Sequence, residues 1–241
     1  MPPKTPKRTR STSAEGPPQP PPLTRTPSTT VRPANRVLVL DCETTGRYPN
    51  NIMERGDSIL EICVFECIDG VLTGVEFFRR VGKEEGLERM NSSQEEQLGA
   101  EAIHGLSEKI LEGSPTMSVV MPELMAFLGY TPVVAFNAGF DVAMIEVEAR
   151  RLNIPFRITK WVDLMGPSLT YFRQFTSKTF MGLKYACTQL GVPREDRKAH
   201  SARYDANLHY QVWKALEKLG GPVPLNNGDS NGFVTKVRGP P

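Results

Sequence analysis

Two acids, Asp41 and Glu43, stand at the end of the apolar run RVLVL, directly before Thr44, Thr45 and Gly46. In an extended strand, residues two apart share a face. Both carboxylates therefore aim the same way from the edge of a hydrophobic core, and Cys42 turns the other way. Like charges on one face repel and are costly to desolvate unless a cation joins them. A divalent metal that prefers hard oxygen ligands, magnesium or manganese, is the fitting cation. Two distant segments carry matching residue types. In AFNAGFDVAMI a short apolar strand ends and Asp141 opens a helix; in HSARYDA, His200 precedes Asp205 at the start of a long helix. Such strand ends and helix starts can bring Asp41, Glu43, Asp141 and Asp205 to one sheet edge with His200 beside them. Four carboxylates and an imidazole suit two-metal phosphodiester hydrolysis, in which cations roughly 4 Å apart hold the attacking water and the leaving oxygen. A histidine, ordinarily titrating near ~6.5, is suited to taking the proton from that water at neutral pH.

The elements that must position these groups are legible in outline. RVLVL is a strand. SILEICVFECI and VLTGVEFFRRV are β-rich runs around Asp69-Gly70, a hairpin signal. GKEEGLERMNSSQEEQLG, from Gly82 to Gly99, is long and polar and is expected as a loop or insertion. Met117, Val120, Met121, Leu124 and Leu128 recur at helical spacing. PVVAF is a short buried strand, DVAMIEVEARRL a helix, RITKWVDLM a fifth strand, MGLKYACTQLG a helix closed by Gly191, and SARYDANLHYQVWKALEKLG a final long helix. Three early strands followed by alternating helix and strand predict an α/β domain with a mixed five-stranded sheet flanked by helices. It is expected over residues 36–219. Residues 1–35, rich in Pro, Ser, Thr and Arg, are expected as a disordered basic tail, and residues 220–241 as a loose one.

VLDCETTG, FNAGFD and HSARYDA together resemble the three exonuclease motifs of the DEDDh superfamily, in its proofreading branch, the epsilon subunit of bacterial replicases. ILEI at 59–62 and IHGLS at 103–107 belong to the likeness, which runs in order from about Val37 to Ala215. The resemblance implies a ribonuclease-H-like fold and a 3′→5′ exonuclease that releases nucleoside 5′-monophosphates from mainly single-stranded or frayed DNA. It makes Asp41 a ligand shared by two magnesium or manganese ions. Glu43 and Asp205 would complete the nucleophile-side ion, Asp141 would serve the other, and His200 would be the general base. It further implies that Thr44, Thr45 and Gly46 meet the terminal nucleotide. Gly139 and Phe136 stand where many relatives carry Pro and His, and neither change removes a ligand.

Plainer readings remain beside these. Thr44 to Gly46 could simply form a tight turn. His104 either borders the nucleotide pocket or merely begins a helix, and Asn137 either touches substrate or orients its segment. Glu61, an acid in an apolar run, reads as a hydrogen-bonded structural group, and Asp163 as a cap for the next helix. Tyr171, Phe172, Phe175 and Phe180 fit core packing better than base stacking. Arg194, Arg197 and Lys198 either contact a nucleic-acid backbone or form a solvated loop.

Composition narrows the classes. Of 241 residues, 39% are hydrophobic and 23% charged, ordinary for a globular domain, and no apolar run is long enough to span a bilayer. The net charge of +2 hides a division: residues 1–35 hold six basic side chains against Glu15, leaving 23 basic and 26 acidic residues for the remainder. The folded part is therefore not a broad basic nucleic-acid platform. Four cysteines without paired metal-ligand spacing read as free thiols in a reducing compartment. The start, PPKTPKRTR, resembles a nuclear-localisation or polyanion-binding tract, or is a solvated tail without an address. The expected setting is intracellular, nuclear or cytoplasmic, with DNA 3′ ends as substrate, a polymerase or a replication or repair complex as partner, and no membrane. Two alternatives stay open: an RNA-trimming exonuclease of the same superfamily, and a polymerase-associated nucleic-acid-binding module with little activity.

Overall fold

The computed structural model describes residues 35–46, 57–82, 94–172 and 181–219. Both terminal tails, the 47–56 and 83–93 stretches, and Phe175 and Phe180 lie outside the described residues. Strand β1 (Arg36–Thr44) is followed by β2 (Ile59–Ile68) and β3 (Val71–Arg80), helices α1 (Gln94–His104), α2 (Glu108–Leu111) and α3 (Met117–Leu128), and strand β4 (Val133–Ala135). Helix α4 (Ala138–Arg151), strand β5 (Trp161–Asp163), and helices α5 (Met165–Phe172), α6 (Leu183–Leu190) and α7 (Ala202–Lys218) complete the order.

The five strands form one sheet in the order β3-β2-β1-β4-β5. β1 pairs antiparallel with β2 and parallel with β4, so the chain departs in opposite directions from the line between β1 and β4. In open α/β sheets, the crevice beyond the carboxyl ends of strands at such a point is where ligands bind. The hairpin signal holds: Asp69 and Gly70 both take positive φ, 53° and 74°, as a two-residue turn matched to strand twist requires.

Alternation along β1 divides the core. Leu38, Leu40 and Cys42 pack with β2, α3 and α4 on one face. Val37 and Val39 pack with Val134, Phe136 and Val162 against α5, α6 and α7 on the other. Asp41 and Glu43 continue the second series, so they face α7, while Cys42 turns away as the spacing predicts. Helix α3 buries the expected Met117, Val120, Met121, Leu124 and Leu128, and Met125 as well. At roughly 1.5–3 kcal/mol per fully buried large apolar side chain, these stripes anchor the layers. Gly191, at φ 67°, closes α6.

Two elements differ from expectation. The fifth strand is only Trp161–Asp163. Helix α1 starts at Gln94, inside the stretch expected as a loop through Gly99. That stretch is rich in Glu and Gln, which favour helix, but it lacks the apolar periodicity by which a helix is recognised. All four cysteines are free and buried, and Cys63 and Cys67 lie in separate apolar clusters. No helix among the described residues is long and apolar enough to cross a membrane.

Candidate active site

β1 delivers Asp41 and Glu43 at its carboxyl end. Helix α4 delivers Asp141 by a short route: β4 stops at Ala135, Asn137 takes a left-handed backbone (φ 64°), and the helix begins at once. Asp163 holds this corner, accepting the backbone N–H of Asn137 at 2.8 Å and that of Met165 at 2.9 Å. It therefore does cap α5, and it also fixes the entry to α4. β4 pairs with β1 only at Leu38 and Val39. Beyond that point Asp141 Oδ1 accepts the Cys42 N–H at 2.9 Å, tying α4 to β1 where β4 has ended.

Helix α7 delivers Asp205, and its start is pinned from β2. Glu61, 1% exposed, accepts the Ala202 N–H at 3.0 Å and the Ser201 hydroxyl at 3.3 Å. Arg80 Nε donates to its other oxygen at 3.0 Å. A carboxylate here satisfies free N–H groups at the helix start and suits the positive end of the helix dipole. Glu61 is thus the hydrogen-bonded structural group that its place in an apolar run suggests. Just upstream, His200 adopts φ 64°, and its N–H donates to Asp205 Oδ2 at 2.9 Å.

The outcome is a tight group. Ligating atoms of Glu43, His200 and Asp205 lie within 4.8 Å of one another, with both carboxylates buried and the histidine exposed. Asp41 and Asp141 are not in that group. Asp41 Oδ1 lies 3.6 Å from His209 Nε2, and Asp141 Oδ1 is on Cys42. They are nonetheless close enough to be felt. Burial first, then Asp141, Glu43, Asp205 and Glu61, hold the Asp41 carboxyl well above its ordinary range. Burial, then Asp205, Glu61 and Asp141, push Glu43 up to about 8. Burial pushes Asp141 to about 8 against the Cys42 hydrogen bond, and burial raises Asp205. Burial pushes His209 down to about 4.

These residues fit a divalent cation on a direct observation: Asp205 Oδ1 is buried without a hydrogen-bond partner. A buried, unpartnered carboxylate oxygen facing another carboxylate is costly in protein alone. A hard cation with oxygen ligands removes that cost.

The flanking candidates fall into place around the group. The Thr44 hydroxyl donates to the Gly46 carbonyl at 2.7 Å. The Thr45 hydroxyl accepts the Ser58 N–H at 2.9 Å and faces Asp57 Oδ1 at 3.4 Å. Both hydroxyls are engaged inside the turn. A Cβ on Gly46 would collide with the Asp57 carboxylate, so a side chain there would require Asp57 to move. Asp57, missed in the sequence reading, is the group against which this turn is built. His104 is half-buried beside the Thr44 backbone, and burial pushes its pKa down. Its Nδ1 accepts the Leu106 N–H at 3.0 Å, and its Nε2 has no hydrogen bond of normal geometry among the described residues. The Asn137 side chain is exposed. Phe172 is in the core. Arg194 pairs with Asp196, while Arg197 and Lys198 share Glu195 at 3.3 and 2.7 Å, so this loop offsets most of its own charge.

Comparison with known proteins bears on the family and the fold. Residues 38–213 match the model of the family RNase_T, described as exonuclease. The DNA polymerase III subunit epsilon of Rickettsia prowazekii is 28% identical over 204 residues, covering 80% of this chain and 82% of that protein. The subunit of the same name from Escherichia coli is 26% identical over 190 residues, covering 79% and 74%. Among solved structures, the zinc-bound complex of E. coli exonuclease I with single-stranded DNA superposes with a TM-score of 0.61 at 14% identity, over 76% of this chain and 40% of that one. Cell-death related nuclease 4 superposes with a TM-score of 0.61 at 14% identity, over 78% and 66%. The chain thus spans less than half the length of exonuclease I, with which it shares the fold.

Proposed function

The chain belongs to the exonuclease family RNase_T and is a 3′→5′ exonuclease, and from that membership we propose that it removes nucleotides singly from single-stranded or frayed DNA 3′ ends, releasing nucleoside 5′-monophosphates. The observation that carries the proposal is the grouping of Glu43, His200 and Asp205 within 4.8 Å, with Asp205 Oδ1 buried and unpartnered. Asp41, Glu43, Asp141 and Asp205 would hold two magnesium or manganese ions. Bound there, such ions supply charge stabilisation at the phosphorus oxygens and a more acidic water. His200, the exposed member of the group, would take the proton of the attacking water on a ring nitrogen. Its left-handed backbone, held by the Asp205 carboxylate, sets where the imidazole stands. The turn of Thr44, Thr45 and Gly46, with His104 and Asn137, borders the terminal nucleotide. The relatives named as polymerase subunits support a role beside a DNA polymerase.

The experiment is a degradation assay on 5′-labelled single-stranded DNA, matched and mismatched duplexes, and RNA, with magnesium, manganese or a chelator. The expected result is a ladder shortening from the 3′ end, fastest on single-stranded and mismatched DNA and absent with chelator. A ladder confined to RNA would move the substrate class. Oligonucleotide binding without any ladder in either metal would reduce the chain to a binding module.

A further inference from the structure

We propose that His209 is a positioning residue that fixes the Asp41 carboxylate for cation binding, an inference that rests on the metal-binding reading above. His209 lies one helical turn after Asp205 in α7, so the two share a face of that helix. Its ring is 2% exposed and lies between β1 and Phe136, whose ring centroid is 6.3 Å away. An imidazole buried in such surroundings is unfavourable unless it is hydrogen-bonded, and an apolar side chain would fill the space without that cost.

The contacts account for its presence. Nδ1 is 2.9 Å from the carbonyl oxygen of Leu40. A carbonyl can only accept, so Nδ1 carries the hydrogen and the ring orientation is set. The opposite nitrogen, Nε2, then carries a lone pair and donates nothing to Asp41 Oδ1, 3.6 Å away. Leu40 directly precedes Asp41. One imidazole therefore grips the backbone leading into the acid, which restricts where the carboxylate stands. Outer-shell groups of this kind orient ligands, and their removal costs about 10–100-fold in metal affinity. His209 also links the two acids, because it holds the backbone before Asp41 from the helix that carries Asp205.

The test is Mn²⁺ affinity of the full chain, read by electron paramagnetic resonance or calorimetry, beside thermal melting in chelator. His209→Leu is expected to weaken Mn²⁺ binding about 10–100-fold. His209→Asn, whose amide nitrogen takes the place of Nδ1 and keeps the donor for the Leu40 carbonyl, is expected to retain most of the affinity. His209→Gln, whose amide nitrogen takes the place of Nε2 instead, is expected to show most of the same loss. Should the Leu variant fail to fold, the Asn and Gln pair carries the comparison. Unchanged Mn²⁺ affinity in Leu and Gln variants, with only a lower melting temperature, would make His209 a core residue and overturn the proposal. Failure of the unmodified chain to bind Mn²⁺ would instead overturn the metal-binding reading itself, and this inference with it.

Discussion

Two sets of buried acids meet within this fold, and they are buried differently. Glu61, Asp163 and Glu148 each face donors. Glu61 has Arg80, Ser201 and Ala202. Asp163 has the Asn137 and Met165 amides. Glu148 has the Ile59 amide at 3.2 Å and Arg151 at 3.5 Å. Glu43 and Asp205 face each other and His200. The Glu43 carboxylate makes no hydrogen bond among the described residues, and only one oxygen of Asp205 is partnered. Glu61 and Glu148 are as deep as Glu43 and Asp205, while Asp163 is half-buried, so depth does not separate the sets. Donors do. A carboxylate surrounded by N–H and guanidinium groups joins elements together; carboxylates turned towards one another have a cation as their natural partner.

The comparison is broken most directly at the facing acids, Glu43 and Asp205, and at Asp41 beside them. Asp41→Ala and Asp205→Asn are expected to lower nucleotide release by about a thousandfold or more, since several kcal/mol of charge stabilisation is at stake and each 1.36 kcal/mol is a factor of ~10. Melting in chelator should stay near the parent value, and undiminished release would remove these acids from the chemistry. His200→Ala removes the base but spares the ligands among the acids, and a loss of about 10²–10⁴ is expected. The accompanying Mn²⁺ affinity should change far less than the rate.

At the donated set the expected effect is on stability. Glu61→Ala leaves the Ala202 amide without its acceptor and Arg80 without its partner. Hydrogen bonds to a charged group contribute about 1.5–3 kcal/mol each. Arg80 is half-exposed, and its share is discounted for solvent screening. Urea unfolding should therefore show a loss of about 2–3 kcal/mol, and a change below the error of the melt would make the Glu61 tie incidental.

Metal and pH sharpen the same contrast. The folded chain holds Glu43 and Asp141 at about 8, with Asp41 and Asp205 also raised, whereas an unfolded carboxyl titrates near ~4. Between those values the folded state binds more protons, so this cluster's contribution in chelator falls as pH rises from ~4 to about 8. His209, pushed down to about 4, acts oppositely and is lost as pH falls below ~6.5. The quantity to read is the gap in melting temperature between magnesium and chelator. It should widen from pH 5 to pH 8, approaching a stabilisation of about 2.7 kcal/mol at a hundredfold excess over the dissociation constant. A gap independent of pH would mean that these carboxylates are not the ligands.

How much was legible follows from the range of each interaction. The shared face of Asp41 and Glu43 is a property of one strand, and alternation alone declares it. The Asp69-Gly70 turn is equally local. Glu61 is intermediate: an acid in an apolar run announces that some donor exists, but its partners at Ser201 and Ala202 lie 140 and 141 residues away, and only the fold supplies them. His209 gave no signal beyond its spacing from Asp205, because its acceptor, Leu40, is 169 residues distant. Asp57 was hidden in a polar loop, and α1 in a polar stretch whose helical propensity leaves no apolar stripe.

The loop before α7 shows the same principle at the surface, where the smallest effect is expected. By composition, Arg194, Arg197 and Lys198 look like a local landing place for a phosphate backbone. Yet Glu195 and Asp196 stand among them, and each cation has an acid in contact. Hydrogen bonds from Lys198 and Lys184 lower Glu195 and Asp196 and outweigh the upward push of burial. Exposed pairs of this kind contribute about 0–1 kcal/mol. The double substitution Arg197→Ala with Lys198→Ala should therefore change unfolding free energy by less than ~1 kcal/mol. Its effect on single-stranded DNA binding is read from the salt dependence. Two lost phosphate contacts would reduce the slope of log affinity against log salt by about 1.4. We expect a change below that, because Glu195 already offsets part of the charge of these two cations; the full drop would show that substrate displaces Glu195 from its partners.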